Sequence, residues 1–307
     1  MTTAVNQQLG KVGHLFFGGG FCEDTTEELA THILHDAPGA LTKAIFLRSG
    51  SEAMDAVLKL VTQYWSVRGE LSRINFIAHH QSYHGNTFGA LCVTGNQGRR
   101  TIYSHWLSEN VSSVDACCAY LVKLDVESDE ESTLACVPPV KGYFQAVREI
   151  CDKYGALMVL DETVGKSLDR GFIPISGVLL HQRVFDTIVT LSGAFAGCHI
   201  FQAHPVACAV ALAVQRIIRR GNLFGNVRYM TALLGDLLKP ELEDHPLVGD
   251  IRGRVLFWAA EFMLDPEKRT PFLMNNDFSG HVIEERYGIK GAQRQDWGDR
   301  DEVPAGG

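Results

Sequence analysis

Apolar residues recur at three- and four-residue steps in several stretches of this chain, and short unbroken apolar runs lie between them. Met54, Val57, Leu58, Val61 and Tyr64 mark one face of an amphipathic helix running from Glu52. Val206, Ala209, Val210, Ala213, Val214 and Ile217 mark another, opened by Pro205 and closed by Arg219, Arg220 and Gly221. Gly142 to Lys153 and Phe224 to Lys239 also read as helices. Ala44 to Leu47, Ile74 to Ala78 and Ala156 to Leu160 read as strands, and Val255-Leu256-Phe257-Trp258 reads as the first strand of a small C-terminal domain. Strands alternating with helices predict an α/β fold, with a mostly parallel sheet flanked by helices.

Composition sets the scale of this picture. With 307 residues, 46% of them hydrophobic and 21% charged, the chain has material for one large domain and a smaller appendage. The division expected is 1–220 for the large domain and 221–290 for a partial small α+β domain. The polar, aperiodic tail 291–307 is expected to be disordered. A formal charge of −8 with no long Lys/Arg cluster argues against nucleic acid as a partner. No apolar run reaches the ~20 residues that span a bilayer, and Met1 to Gly20 lacks the pattern of a secretory signal, so a cytoplasmic protein without a membrane partner is expected. Eight cysteines, mostly within apolar segments and without a C-x-x-C pair, suit reduced, buried thiols.

Candidate chemistry gathers at the predicted strand ends. In Leu47-Arg48-Ser49-Gly50-Ser51-Glu52-Ala53, Ser49 can cap the following helix, with Glu52 completing a capping box. The first-turn N–H groups, the helix dipole and the Ser51 hydroxyl would then favour a phosphate monoester, although an ordinary capped helix reads the same way. After the next strand, Tyr83 offers a ring that can stack on a flat heteroaromatic, and His84 an imidazole. Asp161 and Glu162 end the run from Ala156; an acid there can hold a pyridinium nitrogen protonated, or be merely structural. Lys166 can supply an amine for a Schiff base, or be simply solvated. Gly165-Lys166-Ser167 is not a phosphate-binding Walker loop, because Leu160 stands where that motif needs glycine. His79, His80 and His84 lie close in sequence, but no carboxylate or cysteine joins them at ligand spacing, so no metal is expected.

Five blocks, in order, resemble the class III pyridoxal-phosphate aminotransferases: Ser49 to Ala53, Ser82 to Thr87, Val140 to Phe144, Tyr154 to Glu162 and Phe201 to Ala209. The resemblance runs from about Gly10 to Gly280. It implies a fold-type I, aspartate-aminotransferase-like architecture and a homodimer with active sites at the subunit interface. It also implies transfer of an amino group from an amino acid or ω-amine to an oxo acid through pyridoxal 5'-phosphate. By the same resemblance Gly50 and Ser51 bind the phosphate, Tyr83 stacks on the ring with His84 beside it, Asp161 pairs with the ring nitrogen, and Lys166 forms the Schiff base and shuttles the proton.

The chain also departs from that pattern. Only four residues separate Asp161 from Lys166, whereas two parallel strands need a crossover of a dozen or more. The acidic stretch Leu124 to Thr133, expected to be a loop, stands where the family carries a Glu-Pro pair. Ile200 replaces a threonine that reaches the partner's phosphate, which should weaken cofactor affinity. Two readings follow: an active aminotransferase, apparently truncated with internal deletions, or a catalytically impaired relative that keeps the fold.

Overall fold

The computed structural model describes residues 1–15, 22–35, 37, 39–115, 141–162, 168, 171–266 and 270–271. The chain divides into two compact units, one of residues 1–117 and 139–227 and the other of 118–138 and 228–307.

The first unit is organised around β1 (Leu41–Leu47), whose side chains alternate between two apolar layers. Leu47 faces α3 (Gly50–Val67) and α7 (Gln182–Ser192), joining Ala56, Leu60, Tyr64, Val184 and Ile188. Phe46 points the opposite way, onto Leu29 of α2 (Asp24–Leu34) and Cys208, Ala211 and Leu212 of α8 (Pro205–Arg220). Helices therefore cover both faces of the strand. Phe46 and Leu29, 2% and 0% exposed, each contribute about 1.5–3 kcal/mol through burial. α1 (Thr2–Lys11) brings Val5 to the outer side of α8, against Val210, Val214 and Ile218.

β1 pairs with β4 (Ser176–His181), antiparallel, with Ile45 opposite Val178 and Leu47 opposite Ser176. A second pair, β2 (Phe76–His79) and β3 (Val111–Val114), runs parallel. α4 (Phe88–Val93) lays Ala90 and Val93 against Met54 of α3 and Phe76 and Ala78 of β2. α5 (Gln97–Arg100) and a 3₁₀ turn at Thr101–Trp106 lead to β3, and α6 (Tyr143–Tyr154) follows later in the chain.

The helices expected from Glu52, Gly142 and Pro205 are thus present as α3, α6 and α8. The strand expected at Ala156–Leu160 is not: this segment follows α6 as irregular chain, and Val159 and Leu160 are 44% and 54% exposed. An apolar run becomes a buried strand only when neighbouring strands take up its N–H and C=O groups, and none of the described strands pairs with this one. The apolar setting expected for the cysteines is also revised. Of the described ones only Cys208 is buried, where desolvation pushes its thiol up to about 12, while Cys22 and Cys198 are exposed; all are unpaired.

In the second unit, most of α9 (Leu223–Leu242) is followed by the antiparallel hairpin of β5 (Val248–Arg254) and β6 (Phe257–Asp265), with β7 (Thr270–Pro271) beside β6. Gly235 leaves room for the Trp258 ring, which lies 3.0 Å from where a Cβ would stand. Val255 and Leu256, expected within a strand, instead form the hairpin turn. Val255 takes φ 59°, a conformation uncommon for a β-branched residue, and its carbonyl accepts the Trp258 indole N–H at 3.0 Å. The stretches 124–133 and 291–307 lie outside the described residues.

Candidate active site

The polar turn after β1 forms the helix start that its sequence implied. Ser49 caps α3 by accepting the Glu52 N–H at 3.2 Å. Glu52 does not close the box on Ser49; its carboxylate reaches one residue further back and accepts the Arg48 N–H at 2.9 Å. Among the described residues the N–H groups of Gly50 and Ser51 make no hydrogen bond, and nothing stands within 4 Å of a Cβ placed on Gly50. Two amide donors at the positive end of an 18-residue helix, with open space beside them, fit a phosphate.

The loop after β2 is tied to this helix start. The Ser51 hydroxyl accepts the Asn86 N–H at 3.0 Å, and Thr87 donates to the Ser51 carbonyl at 3.3 Å. Gly85 allows the approach: at φ 133°, a Cβ there would stand 2.7 Å from Ser51 Oγ and 2.8 Å from Ser51 Cα. The loop's other side is fixed by Thr94, fully buried, whose hydroxyl accepts the His84 N–H at 3.1 Å and donates to the Gly85 carbonyl at 3.0 Å.

From this loop His84 Nδ1 reaches Asp161 Oδ2 at 2.9 Å, both side chains being partly shielded. Asp161 is therefore held by a side-chain contact rather than by the strand end expected for it. Tyr83 is half exposed, and the Arg99 guanidinium lies 4.7 Å above its ring, covering one face. The structure thus links Ser51, the Tyr83–Thr87 loop and Asp161 through hydrogen bonds. Lys166 lies outside the described residues.

Thr94 and Arg99 were not singled out by sequence reasoning, and neither was the contact of His79 Nε2 with the Tyr143 hydroxyl at 2.5 Å. The apolar-to-polar change at the end of β2 was the signal for Thr94 and Arg99, and the block Val140 to Phe144 the signal for Tyr143. Beside the start of α3 lies a pocket of about 90 Å³ lined by Leu47, Arg48, Glu52, His199, Ile200, Phe201 and Gln202. Arg48 packs its guanidinium 4.7 Å over the Phe201 ring, and Ile200 is 61% exposed. Among the described residues no cluster of His, Cys, Asp or Glu could hold a metal, and no helix is long and apolar enough to cross a membrane.

Comparison with known proteins places this geometry in context. A family model described as Aminotransferase class-III matches residues 1–135 and 163–286, so Lys166 falls within the match and Asp161 just outside it. An aminotransferase of Gibberella zeae is 36% identical over 87% of this chain and 63% of its own length. An uncharacterized aminotransferase of Schizosaccharomyces pombe is 33% identical over 88% of this chain and 70% of its own. Among solved structures, the omega transaminase of Pseudomonas jessenii in complex with PMP superposes with a TM-score of 0.80 at 25% identity, covering 88% of this chain and 72% of that one. The chain therefore spans roughly two thirds of the length of these relatives.

Proposed function

Because this chain belongs to the class III aminotransferases, with the fold-type I architecture of its structural neighbours, we propose that it binds pyridoxal 5'-phosphate and transfers an amino group from an amino acid or ω-amine to an oxo acid. The observation that carries this reading is the hydrogen-bonded link between the open start of α3, the Tyr83–Thr87 loop and the His84–Asp161 pair. When bound, the cofactor supplies an electron sink and a carrier for the amino group. The chain's own residues do the rest. The Gly50 and Ser51 amides would hold the phosphate, Tyr83 would pack against the ring, and Asp161 would keep a proton on the ring nitrogen. His84 orients that carboxylate. Lys166 provides the amine that anchors the cofactor and moves the proton between the two reacting carbons.

The partners proposed are small-molecule amines and oxo acids, and the working form a cytosolic homodimer. An aromatic cluster on the first unit supports the dimer. Phe88 stands 5.3 Å from Trp106 and 6.3 Å from Tyr103, and Ile102 and Trp106 are 72% and 70% exposed. A contiguous apolar patch of this kind suits burial against a second copy. Trp106→Glu should therefore convert a dimer into monomers in light-scattering measurements, and a variant that stays dimeric would place the interface elsewhere. Ile200 has no donor to offer a phosphate across such an interface, so cofactor affinity should be modest.

The irregular course of Ala156–Leu160, exposed at Val159 and Leu160, and the four-residue interval between Asp161 and Lys166 favour a second reading, a relative that keeps the fold without turnover. Cofactor uptake separates the two. Incubation with pyridoxal phosphate should give a near-visible absorbance band that an amino donor then bleaches; a colourless protein supports the inert reading.

A further inference from the structure

β2 ends at His79, half-buried beneath the Tyr83–Thr87 loop, with its Nε2 2.5 Å from the hydroxyl of Tyr143, the first residue of α6. The two rings are tilted, with centroids 6.0 Å apart. His79 is held in place from its backbone as well. Its carbonyl accepts the Ser82 hydroxyl at 2.7 Å, and Gly95 packs directly against it. The titratable groups that bear on His79 are this tyrosine and His84, the residue that pairs with Asp161. Burial first and the His84 charge second hold the His79 imidazole below its ordinary pKa. An uncharged imidazole nitrogen is a far better acceptor than a phenolic oxygen, so the short contact is O–H donating to nitrogen.

We propose that Tyr143 and His79 are positioning residues: the Tyr143 hydroxyl donates to His79 Nε2, locks that ring as the uncharged Nδ1–H form, and so fixes the end of β2 from which the loop bearing His84 departs. The consequence for chemistry rests on the aminotransferase reading, in which that loop holds His84 2.9 Å from Asp161 and so orients the carboxylate toward the ring nitrogen. α6 thereby fixes the end of a strand 64 residues away in sequence.

Two measurements test this, one of which needs no cofactor. In protein labelled with ¹⁵N-histidine, long-range ¹H–¹⁵N correlation should show His79 at neutral pH with Nδ1 protonated and Nε2 as a hydrogen-bonded acceptor. Tyr143→Phe should erase that signature and raise the His79 titration midpoint; an unchanged His79 spectrum in this variant overturns the proposal. The second measurement is pyridoxal phosphate affinity by equilibrium dialysis. Tyr143→Phe should weaken it about three- to tenfold, the span of one net hydrogen bond. The same change in a His79→Gln background, where the ring is gone, should have no further effect. Equal weakening in both backgrounds would make Tyr143 a mere packing residue and overturn the proposal. Absence of binding by the parent chain counts against the aminotransferase reading, while the histidine spectra still decide the Tyr143–His79 arrangement.

Discussion

Lys166→Ala is expected to abolish covalent capture of the cofactor. Borohydride treatment of the parent chain incubated with pyridoxal phosphate should fix the label on a single peptide containing Lys166, and the variant should show neither the label nor the near-visible band. Turnover should fall by at least about 10²–10⁴-fold, because in the proposed mechanism the same amine both anchors the cofactor and moves the proton. Peptide mapping by mass spectrometry reads the result. A persisting band in Lys166→Ala, or label spread over surface lysines, would remove Lys166 from the site. The prediction matters most here because four residues separate this lysine from Asp161, where two strands of a parallel sheet require a long crossover.

Asp161→Asn should give the second largest effect. The amide keeps the shape of the carboxylate and a hydrogen bond to His84, now 2.9 Å away, but carries no charge to stabilise a protonated ring nitrogen. Loss of one such electrostatic contact costs about 10²–10³-fold in turnover. Thermal stability should change little, since both side chains are partly solvent-exposed. Rate measurements under saturating cofactor distinguish this from weaker binding. A variant within threefold of the parent would show that Asp161 does not face the ring.

How far such a site could be read from sequence depends on the range of the forces that build it. α3 and α8 were legible because their apolar stripes recur locally, and Pro205 and Ser49 punctuate them. Residues 156–160 misled because an apolar run carries no record of whether a neighbouring strand exists to receive it. Val255 and Leu256 misled for a related reason: their composition favours a strand, yet the hairpin had to reverse there, and Val255 yields to a positive φ. The site itself depends on contacts spanning 35 residues, from Ser51 to Asn86, and 77 residues, from His84 to Asp161. No local pattern encodes them. The order of the five blocks named these residues as neighbours; the structure supplies the hydrogen bonds, adds Thr94, and joins His79 to Tyr143, a pairing that no motif announced.

Gly95 has a practical consequence for anyone redesigning substrate choice. A methyl group there would fall 2.1 Å from the His79 carbonyl oxygen and 2.8 Å from the Gln81 amide, both of them main-chain atoms that cannot swing aside. Libraries can randomise the half-exposed Tyr83, but position 95 admits nothing larger than hydrogen and belongs with the fixed scaffold.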